Sequence, residues 1–218
     1  MDYIKSAFTG QGAIWMWLII LPSIAALATI IERAIFLLFR FNINATQFWA
    51  QIQKLVMANN IDRAIKLCNA APNAALPRVL KAGLMRANKG EMEISNAIEE
   101  AQLEVIPMVT KRTGNLPPIA SIATLMGLLG TITGLILAFS ASKVASQEER
   151  STLLMQGIAV AMNTTAFGLI IAIPTLAAFL VLSGVTKKIL EEVDQYSVKL
   201  ENLLVARARG QLGTGVPQ

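Results

Sequence analysis

The stretch LPPIASIATLMGLLGTITGLILAF, residues 116–139, carries no charged side chain and is long enough to cross a lipid bilayer as a helix. A membrane-spanning helix needs about 20 predominantly apolar residues, because the hydrocarbon core of a bilayer is about 30 Å thick. Two more apolar blocks lie at residues 13–38 and 153–185, and the only charges within them are Glu32 and Arg33. The sequence therefore predicts an all-α integral membrane protein with three transmembrane helices.

Composition supports a membrane protein and narrows the functional classes. The chain is 54% hydrophobic, and its net charge is +5. The basic residues flank the apolar blocks, so they indicate membrane topology rather than nucleic-acid binding. The chain has one cysteine and no histidine, which leaves no internal disulfide and no Cys/His zinc cluster. We expect no metal or other cofactor, no nucleic-acid partner, and a packing role for Cys68 as a small apolar filler.

The distribution of Lys and Arg predicts the orientation. Basic residues are frequent between the first two blocks and after the third, whereas the connection between the second and third blocks has only Lys143 and Arg150. By the positive-inside rule, the basic segments are cytoplasmic. The predicted segments are an outer-side N-terminal segment (1–12), transmembrane helix 1 (13–39), a cytoplasmic helical region (40–115), transmembrane helix 2 (116–140), a periplasmic loop (141–152), transmembrane helix 3 (153–185), a cytoplasmic helical tail (186–210) and a disordered end (211–218).

A cleaved signal peptide is the competing interpretation of the first block. It would have a shorter apolar core, a basic leader and a site of small residues for cleavage. The leader here is MDYIK, no such site follows the core, and Trp15 and Trp17 are typical of a membrane interface. We therefore expect a retained span.

The region 40–115 is too long for a plain loop and is predicted to form several short helices. Its longest helix is expected to begin near Glu91 and run on towards the second span, bent or divided by Pro107, Pro117 and Pro118. The tail is expected to extend the third helix. Because the intervening helices are short, we expect them to pack on the membrane bundle and on neighbouring subunits.

Glycines and hydroxyl side chains distinguish the second and third spans from plain apolar helices. Gly127, Gly130 and Gly134 predict a close helix–helix approach. Thr124 and Thr131 are seven residues apart and share one helix face. In the third span, Asn163, Thr164 and Thr165 form a polar cluster, and an Asn inside a membrane needs a polar partner or water. Pro174 removes a backbone donor and is expected to kink the third span.

Several motifs resemble the MotA/TolQ/ExbB family. They are LMGLLGTITG at 125–134, GIAVAMNTTAFGL at 157–169 followed by AIP at 172–174, IER at 31–33, and residues 77–84. Chain length and the short outer N-terminus are more similar to the ExbB/TolQ branch than to the four-span flagellar branch.

The resemblance implies a homopentameric ring around single-span partners of the ExbD/TolR kind, which supply a membrane aspartate. It also implies a TonB/TolA-like protein as a further partner, and ion flow coupled to mechanical work. By motif it assigns the ion path to Thr131 and Thr165, with Thr124, Asn163 and Thr164 as further candidates, and helix packing to the three glycines, Gly168 and Pro174.

One position departs from the family pattern. ExbB and TolQ usually have a glutamate at the fourth position of the third-span motif, where this chain has Val160. Residues 116–140 and 153–185 contain no ionisable side chain at all. Hydroxyl groups can order water for protons or ligate Na⁺ as hard oxygen donors, so the transported ion stays open between H⁺ and Na⁺.

Other functions remain to be weighed against an ion-conducting ring. A non-conducting membrane scaffold would use the same polar cluster for assembly only. An enzyme is not expected, because the sequence has no Gly-rich phosphate loop and no catalytic histidine. A secondary transporter would usually show internal repeats. For Glu32 and Arg33, a simple interfacial anchor competes with a role in subunit contact or ion exit.

Overall fold

The computed structural model describes residues 13–37, 43–143 and 146–209, and these ranges contain helices, turns and no β-strand. The predicted all-α class is confirmed. The predictions for residues 1–12 and 211–218 lie outside the described residues. The helices are α1 (Ala13–Ile35), α2 (Ala45–Met57), α3 (Ile61–Asn69), α4 (Ala75–Met85), α5 (Glu91–Thr110), α6 (Leu116–Ser142) and α7 (Gln147–Ala208), with a 3₁₀ turn at Thr113–Asn115 before α6.

Three helices, α1, α6 and α7, are long and apolar enough to cross a membrane. Many of their large side chains are exposed in the isolated chain, as for Leu125 (61%) and Ile170 (66%), which a bilayer or other protein subunits must cover. Helix α7 would be about 93 Å long, about three times the hydrocarbon thickness, so it extends well beyond the bilayer. The points at which each helix enters and leaves the membrane stay predictions.

The helix that begins at Glu91 is divided from the second span near the prolines that were expected to bend or divide it. Helix α5 contains Pro107 and ends at Thr110, and α6 begins at Leu116 with prolines in its first turn. Proline is tolerated there because first-turn N–H groups have no partner within the helix.

The described residues form two compact units. The first, called here the span unit, comprises residues 13–33, 112–143 and 146–181. The second, called the loop-and-tail unit, comprises residues 34–37, 43–111 and 182–209.

The loop-and-tail unit has its own hydrophobic core. One face of α5 is buried, and its residues recur at helical spacing: Ile94, Ile98, Ala101, Val105 and Val109. The end of α7 packs into the same unit. The Tyr196 ring packs at a tilt against the Trp49 ring, with 5.6 Å between the ring centroids. The Tyr196 hydroxyl lies 3.2 Å from the Thr46 hydroxyl. The sequence led us to expect an extension of the membrane bundle, because the helices are too short to form a domain alone. They nevertheless share a core, because the tail supplies the apolar face that the short helices need. Their packing on the membrane bundle and on neighbouring subunits stays a prediction.

Cys68 is a packing residue, as expected. Its side chain is 2% exposed. Burial raises the pKa of the thiol to about 12, although the positive charge of Lys81 acts in the opposite direction. The thiol therefore stays protonated and unreactive at neutral pH.

Replacing Ser197 by Ala is expected to stabilise the loop-and-tail unit. The residue is 1% exposed, and its hydroxyl has no hydrogen-bond partner among the described residues. Removing an unsatisfied buried hydroxyl recovers its desolvation cost, and Ala also favours the helix, for a gain of about 1–2 kcal/mol in the free energy of unfolding. Thermal denaturation of the purified protein checks this. A lower midpoint for Ser197→Ala would contradict it and would mean that the hydroxyl is hydrogen-bonded.

Candidate functional site

Helices α6 and α7 pack against each other through small residues, and we call this contact the seam. On α6 the seam consists of Ala123, Gly127, Gly130, Gly134 and Ala138. On α7 it consists of Gly157, Ala161, Thr164 and Gly168. Ala123 lies beside Gly168 whereas Ala138 lies beside Gly157, so the two helices run antiparallel.

The seam brings the two backbones into van der Waals contact. A Cβ atom added at Gly168 would lie 2.7 Å from the Ala123 carbonyl oxygen, and one at Gly127 would lie 3.0 Å from the Thr164 carbonyl oxygen. One at Gly157 would overlap the Ala138 Cβ. Glycine is needed because any side chain would separate the helices. Sequence reasoning singled out four of these glycines but missed Gly157, which small-residue spacing along the third span would have found.

Thr164 lies in the seam itself. It is 0% exposed, and its hydroxyl donates to the Ala161 carbonyl at 2.7 Å and lies 3.4 Å from the Gly127 carbonyl. A side chain enclosed within one subunit cannot line a path between subunits. Thr164 is therefore packed between the two helices, and we leave it out of the ion path proposed below.

The other candidate threonines share one flank of the α6/α7 pair. Thr131 follows the seam residue Gly130, and Thr165 follows the seam residue Thr164. In antiparallel helices, the position after the seam on each helix projects to the same side of the pair. Thr124, which follows Ala123, lies on this side too. We call Thr124, Thr131 and Thr165 the threonine flank.

Each residue of the threonine flank is half-buried, and its hydroxyl donates to a backbone carbonyl. Thr131 Oγ1 donates to the Leu128 carbonyl at 2.6 Å, and Thr124 Oγ1 donates to the Ala120 carbonyl at 3.0 Å. The Thr165 bond is different, because it crosses the seam to the Gly127 carbonyl at 3.1 Å. The flank is therefore a polar strip held rigidly on an apolar pair of helices.

Helix α1 covers the opposite flank. An open cleft of about 370 Å³ lies between α1 and α7, lined on α1 by Ser23, Ala26, Leu27 and Ile30. On α7 its lining includes Phe167 and Ile171. Phe167 and Ile171 each come one residue before a buried residue of α7, namely Gly168 and Ala172. The residues of the threonine flank each come one residue after a buried residue, so they lie on the opposite side of the helix pair. The threonine flank is thus the side that α1 leaves open.

The structure does not bring Asn163 together with the threonine flank. Asn163 and Val160 each precede a buried residue of α7, Thr164 and Ala161 respectively, so both lie on the α1 side. Pro174 also lies there and lines the cleft within an unbroken helix. The kink at Pro174 stays a prediction.

Glu32 and Arg33 make contacts within the chain. Arg33 is 4% exposed, and its Nε donates to the Thr113 hydroxyl at 3.0 Å. Glu32 forms an ion pair with Arg112, which has a left-handed backbone conformation (φ 62°) just before the 3₁₀ turn. These contacts fix the end of α1 beside the start of α6. The burial of Arg33 within the chain fits the interpretation of this pair as an interfacial anchor, and a role of Glu32 and Arg33 in subunit contact or ion exit stays a prediction.

Comparison with known proteins identifies the family. Residues 71–195 match the model of the MotA/TolQ/ExbB proton channel family. The chain is 31% identical over 166 residues to the putative biopolymer transport protein ExbB-like 3 of Synechocystis sp. The aligned region covers 71% of this chain and 73% of that protein. The chain is 38% identical over 86 residues to the biopolymer transport protein ExbB of Aquifex aeolicus, covering 38% and 54% of the two chains. This three-span, all-helical membrane protein therefore belongs to the MotA/TolQ/ExbB proton channel family.

Proposed function

We propose that this chain is the ion-conducting stator subunit of an inner-membrane motor of the ExbB/ExbD or TolQ/TolR type. It couples the flow of protons, or of sodium ions, to mechanical work on an envelope partner. The observation that carries the proposal is the threonine flank, a polar strip on the side of the α6/α7 pair that α1 leaves open. Hydroxyl side chains from both helices gather on this one side, which supports a wall that faces water or a polar group rather than lipid.

A ring of copies gives the threonine flank an enclosed lumen to face. Five copies are proposed from the family resemblance, with α6 and α7 inside and α1 outside. The exposed apolar side chains of α6 and α7 would then meet lipid or adjacent copies. The Asn163 side would face α1 rather than the lumen, so we keep Thr131, Thr165 and Thr124 as the ion path.

The ring wall needs a titratable group from elsewhere. Residues 116–140 and 153–185 contain no ionisable side chain, and Val160 occupies the position of the usual glutamate. The proposed source is the membrane aspartate of an ExbD/TolR-like single-span protein inside the ring. A TonB/TolA-like protein would then receive the work.

The proposed orientation follows the charge distribution. The N-terminus and residues 141–152 would be periplasmic, and the loop-and-tail unit would be cytoplasmic, where its basic residues are favoured. The protein would be a multi-pass protein of the bacterial inner membrane. We place protons ahead of sodium as the transported ion, on the family's description as proton channels.

Replacing Thr131 or Thr165 by Val is expected to reduce ion flux strongly while the complex still assembles. Valine keeps the shape but removes the oxygen, and a wholly apolar constriction loses water, so flux should fall at least roughly tenfold. Proton uptake by vesicles containing the purified complex measures this. Thr133→Val is the matched control, because Thr133 donates to the Leu129 carbonyl but precedes the seam residue Gly134 and so lies on the α1 side.

The outcomes separate the competing functions. Undiminished flux in both variants would refute the assigned path. A wild-type complex that assembles but passes no ion would favour a non-conducting membrane scaffold for a transport or secretion complex. Uptake that persists in Na⁺-free medium and collapses with a protonophore excludes sodium coupling.

A further inference from the structure

A pocket of about 280 Å³ lies in the loop-and-tail unit, where α7 ends. It is lined by Ala87, Asn88 and Lys89 from the turn between α4 and α5, and by Arg207 and Ala208 from α7. Three of these residues bring an amide, an ammonium and a guanidinium group to the pocket. All three groups donate hydrogen bonds, and two of them are positively charged.

The guanidinium group of Arg207 is held in place by a neutral partner. Its Nε and one terminal nitrogen donate to the side-chain oxygen of Asn59, at 3.0 and 2.6 Å. Among the described residues, Arg207 forms no ion pair with a carboxylate, so its charge is not neutralised. Asn59 has a left-handed backbone (φ 59°), which asparagine tolerates better than most residues. The turn after α2 therefore orients Arg207 and leaves its charge available.

Cations outnumber carboxylates around this pocket. Glu93 lies 3.1 Å from the Lys89 Nζ and 3.6 Å from a terminal nitrogen of Arg86, so two cations share one carboxylate. Glu91 pairs with Arg209. Together with the guanidinium group held on the α2 turn, four cations and two carboxylates leave a net charge of +2. Ion pairs between half-exposed side chains are weak, so Lys89 can turn from Glu93 to a ligand in the pocket.

We propose that this pocket binds a phosphate group, as the free ion or as the phosphate end of a small molecule. A phosphate monoester carries a charge of about −1.5 to −2 at neutral pH, which matches the excess positive charge. A guanidinium group has five N–H donors. Arg207 uses two of them on Asn59, so three remain for phosphate oxygens, with further donors from Lys89 and Asn88. A carboxylate would neutralise only one of the two excess charges and should bind more weakly.

The phosphate site is independent of the proposed ion path. None of its residues belongs to the threonine flank, and all of them lie in the loop-and-tail unit. A bound phosphate group would connect the turn between α4 and α5 to the end of α7. Because a ligand that binds only the folded state stabilises it, phosphate should also raise the stability of this unit.

The experiment measures broadening of the phosphorus NMR signal of inorganic phosphate by the purified full-length chain in detergent, at constant ionic strength. The wild type should give saturable broadening. Arg207→Gln and Lys89→Gln should each weaken binding at least roughly tenfold, because each removes a charge-assisted hydrogen bond. Asn59→Gly keeps the left-handed turn but removes the oxygen that holds Arg207, so it should also weaken binding. Lys66→Gln removes the same charge from an exposed position of α3 outside the pocket, and should bind phosphate as the wild type does.

Competition experiments identify the source of the phosphate group. Adenosine monophosphate that displaces inorganic phosphate at a lower concentration than phosphate itself would assign the site to a phosphorylated small molecule. Equal or weaker displacement would assign it to the free ion.

Four results would overturn the inference. They are the absence of saturable broadening in the wild type, undiminished binding in both Arg207→Gln and Lys89→Gln, equal weakening in Lys66→Gln, and displacement by acetate or adenosine as strong as that by phosphate. None of these results bears on ion flux, so the proposed function would stand or fall separately.

Discussion

Gly168→Ala is expected to disrupt the packing of α6 on α7, whereas Gly184→Ala in the same helix is expected to be tolerated. The added methyl at position 168 would meet the Ala123 carbonyl oxygen at 2.7 Å and the Gly127 Cα at 3.3 Å. Both are backbone atoms, so no side-chain rotation relieves the clash. At position 184 no atom lies within 4 Å, and Ala favours a helix over Gly by about 0.5–1 kcal/mol.

The two alanine variants are compared by yield of monodisperse protein in detergent and by thermal denaturation. Overpacking typically costs about 1–3 kcal/mol, and more where backbone must move, so Gly168→Ala should give a midpoint several degrees lower or no folded protein. Gly184→Ala should match or exceed the wild type. Equal stability of the two variants would show that the helices are not in backbone contact at Gly168.

Gly157→Ala is also expected to separate the helices, and the second substitution Ala138→Gly is expected to restore much of the loss. A Cβ at position 157 would overlap the Ala138 Cβ, and removing the latter opens that space. The Ala138 Cα would still be 3.2 Å away, so the recovery should be incomplete.

A double-mutant cycle measures the coupling between positions 138 and 157. Ala138→Gly alone should destabilise, through loss of helix propensity and a small cavity. The double variant should be more stable than the sum of the single effects by roughly 1–3 kcal/mol. Additive effects would mean that the two residues do not touch.

The three spans and the buried face of α5 were predictable because each depends on local sequence alone. Apolar length identifies a membrane helix, and helical spacing places Ile94 and Val105 on one face. The seam glycines of α6 were predictable for the same reason. Arg33 was not, since its partner Thr113 is 80 residues away along the chain. No local pattern reveals such a contact.

The candidate ion path was predictable only in part. A spacing of seven residues puts Thr124 and Thr131 on one helix face, but it does not say which face of α7 meets α6. The rotation of α7 about its own axis places Thr165 on the same side as Thr124 and Thr131. The same rotation encloses Thr164 and puts Asn163 on the side of α1. Three consecutive polar residues on a helix point in directions about 100° apart, so a cluster in sequence is divided in space.

The backbone contact along the seam extends from Ala123 to Ala138, about four helical turns. Sliding or rotating one helix against the other would drive glycine positions into neighbouring methyl groups. The two helices should therefore behave as a single rigid body during any conformational cycle. Spectroscopic labels on exposed positions of α6 and of the part of α7 within the span unit should then report the same displacement.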